Sequence, residues 1–206
     1  MARPRTFEED QVLDAACEAF RANGYERTST RDLVRLTGLN QPSLYAAFGD
    51  KRSLFRRALD HYLEGSLRER IERLETSHTA AQAISAYFAE IVEGTVCDTG
   101  RRGCLLVNSA LESTPDDPDL QQAIRAELKV LRDFFRRCLQ AAQRRGEIQR
   151  LATPLAGSAQ LLSILLGLRV LARINPDRAL LRAAAATTLT QLGLPALPAT
   201  SVSGVA

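Results

Sequence analysis

The stretch that decides the fold lies near the start of the chain, where residues 29–51 read STRDLVRLTGLNQPSLYAAFGDK. Ser29 is a residue type that caps helix starts, and Asp32 follows it by three positions, as in a capping box. The arrangement predicts a helix over residues 30–37.

A second short helix is predicted directly after the first. Asn40 is a second capping residue, and Pro42 is tolerated in the first turn of a helix over residues 41–48. Only the three residues 38–40, which include Gly38, separate the two helices. Two short helices joined by such a turn form a helix-turn-helix motif.

The rest of the chain also has the periodicity of helices, and its apolar residues are mainly Leu and Ala, which favour helix over strand. One helix is predicted before the motif and six after it, at about residues 7–23, 51–74, 80–91, 104–112, 120–145, 154–174 and 177–192. Pro115, Pro118 and Pro176 fall between them, where proline ends helices. The predicted fold class is all-α.

Composition excludes several functions. The four cysteines lack the spacing of a metal site and the chain has only two His, so no metal site and no cofactor are expected. No nucleophile–base pairing or phosphate loop is visible, which disfavours an enzyme. The start of the chain does not resemble a signal peptide, and residues 155–172 are too polar for a membrane span. A cytoplasmic protein with no membrane partner is the expectation.

Residues 29–51 indicate DNA binding by the placement of their polar side chains and helix starts rather than by a large net positive charge. The net charge is +3, and residues 1–60 hold ten Lys and Arg against nine Asp and Glu. Gln41 and Ser43 begin the second helix, the end that enters a major groove and meets base edges. The helix starts at Thr30 and Lys51 offer N–H groups to phosphates. The Tyr45 hydroxyl would donate to a phosphate.

These residues, with Gly24-Tyr25 before them and Phe48 and Leu54 after, resemble the N-terminal domain of TetR/AcrR-type bacterial transcriptional regulators over roughly residues 6–59. The resemblance implies a homodimer that grips a palindromic double-stranded DNA operator. It implies phosphate contacts from Thr30, Tyr45 and Lys51, and base contacts from Arg31, Gln41, Pro42 and Ser43. Arg3 and Arg5 would lie along the backbone or in a minor groove. Ala46 and Ala47, where some members carry larger side chains, imply a sparse set of base contacts.

The resemblance also implies a division of labour along the chain. A helix-turn-helix domain would occupy residues 1–50, and a long helix would link it to a larger helical effector-binding and dimerisation domain at 51–194. Residues 195–206 are small and polar, which predicts a disordered tail. The apolar helices near 155–172 and 179–192 would pair with their copies in a dimer.

The implied function is a repressor that a small-molecule effector releases from DNA. The effector pocket would hold polar and aromatic side chains, namely Tyr87, Phe88, Cys104, Asn108 and Glu112. An alternative is a thiol-based redox or electrophile sensor. Cys104 follows Arg101 and Arg102 at a predicted helix start, an environment that activates thiols, although a small buried hydrophobe is the competing interpretation.

Overall fold

A computed structural model describes residues 8–149 and 152–198, and these residues form helices joined by short loops. The helices are α1 (Glu9–Asn23), α2 (Thr30–Thr37), α3 (Gln41–Phe48), α4 (Lys51–Leu63), α5 (Glu69–Ser77), α6 (Ala80–Val96), α7 (Leu105–Glu112), α8 (Pro118–Arg144), α9 (Pro154–Ile174) and α10 (Arg178–Gln191). The all-α prediction is confirmed, and no strand occurs within the described residues.

One predicted helix is interrupted. The sequence predicts a single helix from residue 51 to about 74, but Glu64–Arg68 forms a π-helical turn between α4 and α5. Gly65 and Ser66 lie in this turn, and both residue types favour the α-helix less than alanine or leucine does. The prediction of one continuous helix is therefore wrong at this turn.

The chain divides into two compact units. Among the described residues, unit 1 comprises residues 8–68 and 104–124, and unit 2 comprises residues 69–103, 125–149 and 152–198. This division by packing differs from the functional boundary that the sequence predicts after residue 50, because α4 and α7 pack with the first helices. The functional boundary stays a prediction.

Unit 1 is built on a core of leucine and phenylalanine side chains. Phe20 of α1 meets Phe55 of α4 edge-on, with ring centroids 4.9 Å apart. Leu33 of α2 and Leu44 of α3 are fully buried. Phe48 of α3 is buried as well, so the two short helices are fixed by these apolar side chains while the polar starts of both helices remain accessible to solvent.

Unit 2 contains an aromatic cluster in its core. Tyr87 and Phe88 of α6 pack against Phe134 and Phe135 of α8, with ring centroids between 5.2 and 6.3 Å apart. All four side chains are buried. Aromatic pairs at this separation add to the free energy that their buried area alone provides.

The first residues of the predicted disordered tail, 195–198, accept hydrogen bonds from helices of unit 2. The Ser85 hydroxyl donates to the Pro195 carbonyl at 2.7 Å, and Arg182 donates to the Pro198 carbonyl at 2.9 Å. The start of the predicted tail is therefore held against unit 2. Residues 199–206 lie outside the described residues.

Helix α9 keeps much of its apolar surface outside the core. Its most apolar window has a mean hydropathy of 1.7 and is 33% buried. By length and composition alone α9 would suit a membrane span, so the prediction that residues 155–172 are too polar for one is not supported. This is weak evidence for a span, because core helices of soluble proteins share both properties. Val170, Leu171 and Ile174 are the exposed apolar residues near its end.

Candidate nucleic-acid interface

Both short helices of the motif begin with the caps that the sequence predicts. The Ser29 hydroxyl accepts from the Asp32 backbone N–H at 3.2 Å, and the Asp32 carboxylate accepts from the Ser29 N–H at 3.0 Å. The Asn40 side chain accepts from the Ser43 N–H at 2.9 Å. Gly38 ends α2 with a φ of 70°, a conformation that favours glycine. The predicted boundaries of α2 and α3 are confirmed.

The start of α3 is open to solvent. Gln41, Pro42 and Ser43 are all exposed, whereas Leu44 and Phe48 of the same helix are buried. Arg31 of α2 is also exposed. An exposed polar helix start above a buried apolar face is the arrangement by which a recognition helix enters a groove.

A hydrogen bond joins the two hydroxyls predicted to contact phosphates. Thr30 Oγ1 lies 2.8 Å from Tyr45 Oη, and either oxygen can be the donor. Whichever donates, the accepting hydroxyl retains its own proton for a further acceptor. The pair therefore presents one hydroxyl proton at a point shared by α2 and α3.

Lys51 lies against the loop between α1 and α2. Its Nζ donates to the Glu26 carbonyl at 3.2 Å and lies 4.5 Å from the centre of the Tyr25 ring. The ring in turn packs on Phe20 and Phe55. The position of the Lys51 ammonium therefore depends on the backbone and side chains of this loop.

The starts of α2, α3 and α4 differ in the charges of their capping and first-turn residues. Hydrogen bonds from the Ser29 side chain and backbone lower the pKa of Asp32, and hydrogen bonds from Ser53 lower the pKa of Asp50. Both carboxylates stay ionised at the starts of α2 and α4, where they oppose an incoming phosphate. The start of α3 is capped by the neutral Asn40. Of these three helix starts, only the one at Gln41 has no acidic residue in its cap or first turn.

The residues predicted to line an effector pocket fall into two groups. Tyr87 and Phe88 lie in the aromatic cluster of unit 2. Asn108 and Glu112 lie in unit 1 on α7, where Asn108 Nδ2 donates to the Arg21 carbonyl at 3.3 Å. Their role at an effector site stays a prediction.

Glu112 makes a contact that the sequence does not reveal. Its Oε2 accepts from the Tyr25 backbone N–H at 2.6 Å, across 87 positions of sequence. An added Cβ at Gly24 would stand 1.9 Å from the other carboxylate oxygen. Gly24 and Tyr25 belong to the residues that carry the family resemblance, but nothing in that pattern predicts a carboxylate partner for them.

The start of α8 is also attached to α4 in unit 1. Arg52 forms an ion pair with Asp117, and the Arg56 guanidinium lies 3.7 Å from the Asp119 carboxylate. Both arginines are about half exposed, so each exposed pair adds little to stability. Their main consequence is that two of the cationic side chains of α4 already have carboxylate partners.

The cysteines are free thiols in different surroundings. Cys104 is half-buried at the start of α7, and Cys97 is exposed. Burial raises the pKa of Cys17 and of Cys138 to about 12. The Arg102 guanidinium pairs with Asp98 at 3.0 Å. Within the described ranges no cluster of His, Cys, Asp and Glu is placed to hold a metal ion. Arg3 and Arg5, the remaining predicted DNA contacts, lie outside the described residues.

Comparison with known proteins gives two family matches. Residues 12–58 match "Bacterial regulatory proteins, tetR family", and residues 80–188 match "Tetracyclin repressor-like, C-terminal domain". The chain is 35% identical to the uncharacterized HTH-type transcriptional regulator YezE of Bacillus subtilis, over 86% of this chain and 92% of that protein. It is 33% identical to the HTH-type transcriptional repressor ComR of Escherichia coli, over 71% and 70% of the two chains.

A solved structure extends the similarity to three dimensions. A cysteine mutant of the TetR family transcriptional regulator CifR, complexed with 26-base-pair double-strand operator DNA, is 32% identical to this chain. The two chains superpose with a TM-score of 0.82, covering 91% of this chain and 98% of CifR.

Proposed function

The chain belongs to the tetR family of bacterial regulatory proteins, and we propose that it represses transcription as a homodimer that binds a palindromic operator. The observation that carries the proposal is the geometry of α2 and α3. The exposed start of α3 would meet base edges, while the joined Thr30 and Tyr45 hydroxyls and the Lys51 ammonium would meet phosphates. The resemblance of the operator-bound CifR chain supports this assignment.

Each predicted contact has a separate signature in a binding experiment. The probe is a labelled duplex that the wild-type protein selects from a random-sequence pool, and binding is measured over a range of salt concentrations. Lys51→Ala should weaken binding to the selected and a scrambled duplex alike, and lower the salt slope by about 0.9 per monomer. Lys129, the only other lysine, lies on α8 and forms an ion pair with Asp133, so Lys129→Ala is the matched control.

Base recognition is tested with a second substitution. Gln41→Ala should relax the preference at one position of each half-site, at a cost of about 1–3 kcal/mol against the preferred base, with the salt slope retained. Failure of the wild-type protein to select any duplex at low salt would refute the proposed function. Equal slopes for wild type and Lys51→Ala would remove Lys51 from the interface.

Dimerisation through α9 and α10 is part of the proposal. Val170, Leu171 and Ile174 lie at spacings that place them near one another on α9, and Leu180 of α10 is also half exposed. Pairing with a second copy would bury this surface, as in the four-helix interface that the sequence predicts. Sedimentation velocity at two protein concentrations measures the association state.

A small-molecule effector is proposed as the signal, in a protein of the bacterial cytoplasm. Tyr87 and Phe88 are the side chains of unit 2 that we assign to its site. Candidate small molecules are added to the protein, and affinity for the selected duplex is measured. An effector at this site should lower the affinity of the wild-type protein but not that of Tyr87→Ala or Phe88→Ala. The variants must retain wild-type DNA affinity without the compound for this result to count.

A thiol signal is the second candidate, and one observation favours it. Cys104 is the cap residue of α7. The Asn108 and Glu112 side chains of this helix bind the backbone of α1 and of the loop that follows it. A change in the Cys104 thiol would therefore act on a helix attached to the DNA-binding region. Alkylation should then lower DNA affinity in wild type but not in Cys104→Ser. An unchanged wild-type affinity after alkylation would exclude this signal.

A further inference from the structure

Glu112 lies on α7, outside the helix-turn-helix motif, but its carboxylate bonds to the loop between α1 and α2. The 2.6 Å bond to the Tyr25 N–H pairs an ionised acceptor with a backbone donor, the stronger class of hydrogen bond. Gly24 leaves the space that the carboxylate occupies, since any side chain there would overlap it. The contact is therefore a fitted one rather than a chance approach of two surface groups.

The same loop holds Lys51 on its other side. The Glu26 carbonyl and the Tyr25 ring both contact the Lys51 ammonium, and Glu26 is the residue directly after the one that Glu112 binds. Few groups therefore connect α7 to Lys51. The Glu112 carboxylate binds the peptide between residues 24 and 25, and the Tyr25 ring and Glu26 carbonyl that follow this peptide contact the Lys51 ammonium.

We propose that Glu112 is a positioning residue for DNA binding, which acts through Tyr25 and Glu26 to hold Lys51 where it meets a phosphate. The proposal rests on the proposed function, since it needs Lys51 to contact DNA. It assigns to Glu112 a role in the DNA-binding state of unit 1. It also gives α7 a defined point of control over that state, because displacement of α7 would withdraw the carboxylate.

The experiment is a double-mutant cycle between Glu112 and Lys51 on the selected duplex. Glu112→Ala should weaken binding at least about threefold in the wild-type background, and should have little further effect in Lys51→Ala. It should also lower the salt slope toward that of Lys51→Ala. Glu112→Gln keeps an oxygen acceptor at the same reach and should restore most of the affinity, whereas the shorter Glu112→Asp should not.

A matched control separates this role from charge and from folding. Glu72 is an exposed glutamate of α5, and Glu72→Ala should leave both affinity and slope unchanged. If Glu112→Ala fails to fold, the comparison of Glu112→Gln with Glu112→Asp decides by itself. Equal losses for Glu112→Ala in both backgrounds, or equal affinities for the Gln and Asp variants, would overturn the proposal. A wild-type protein that binds no duplex would instead overturn the proposed function. An unweakened Lys51→Ala would remove Lys51 from the interface, and would overturn the role of Glu112 without overturning the proposed function.

Discussion

Gly24→Ala should destabilise the protein by more than any ordinary surface substitution. Gly24 is buried and has a φ of 80° and a ψ of 173°, a region of the backbone map that only glycine occupies readily. Strain at such a position costs about 1–3 kcal/mol for another residue. The new Cβ would also stand 1.9 Å from a Glu112 oxygen, so the flexible carboxylate must leave its place.

The departure of the carboxylate adds a second cost. A hydrogen bond to a charged group contributes about 1.5–3 kcal/mol, and the lower end applies because Glu112 is half-buried. Alanine restricts the unfolded chain more than glycine does, which offsets about 0.4–1 kcal/mol. The net expectation is a loss of about 1.5–4 kcal/mol in the free energy of unfolding.

The assay is urea unfolding followed by far-ultraviolet circular dichroism, since the chain has no tryptophan. All variants are compared at one protein concentration, because dimerisation links stability to concentration. Gly94 provides the matched control: it lies in α6, and beyond its chain neighbours and the nearby backbone of its own helix no heavy atom lies within 4 Å of an added Cβ. Gly94→Ala should stabilise the protein by about 0.5–1 kcal/mol.

The reasoning also predicts how the two costs separate. In a Glu112→Ala background the hydrogen bond is already absent, so Gly24→Ala should cost only the backbone strain. A loss below about 0.5 kcal/mol in the wild-type background would refute the argument for strain. The same loss in both backgrounds would refute the argument that the carboxylate occupies the space beside Gly24.

Three further predictions concern thiols, acid and association. At pH 8 a disulfide reagent should react quickly with two thiols of the folded protein, and with the other two only after unfolding. The slow pair should be Cys17 and Cys138, because a pKa of about 12 leaves roughly one such thiol in ten thousand ionised at this pH. In Asp32→Asn the free energy of unfolding should fall less steeply with pH below about pH 4 than in wild type. The capping hydrogen bonds lower the pKa of Asp32 in the folded protein below its ordinary value of 3.8, so their contribution to stability is lost as the pH falls through the folded pKa. Ile174→Glu should shift sedimentation toward the monomer, whereas Leu111→Glu, at an exposed leucine of α7, should not.

Local chemistry explains why much of the fold was predictable. Caps such as Ser29 and Asn40 act within four residues, so α2 and α3 begin and end where the sequence indicates. The π turn after Leu63 was not predictable, because two poor helix formers can equally be tolerated in a regular helix.

The candidate site was predictable only in part. The exposure of Gln41 and the burial of Leu44 follow from helical periodicity, but the bond between Thr30 and Tyr45 depends on how two helices pack. The Glu112 contact joins residues far apart in the chain, and no local pattern encodes it. The sequence did indicate anion-binding helix starts, but it did not show that the carboxylates of Asp32 and Asp50 oppose anions at two of them.

The contact of Lys51 with the Tyr25 ring makes the interface visible to spectroscopy. The chain has only two lysines, so reductive methylation with a labelled carbon source would give two lysine signals besides that of the terminal amine. A nucleus held 4.5 Å above an aromatic ring experiences its ring current, and the Lys51 signal should therefore be displaced from that of solvent-exposed Lys129. That displacement would report the environment of one ammonium group in the free protein, on DNA and after any signal, without knowledge of the operator sequence.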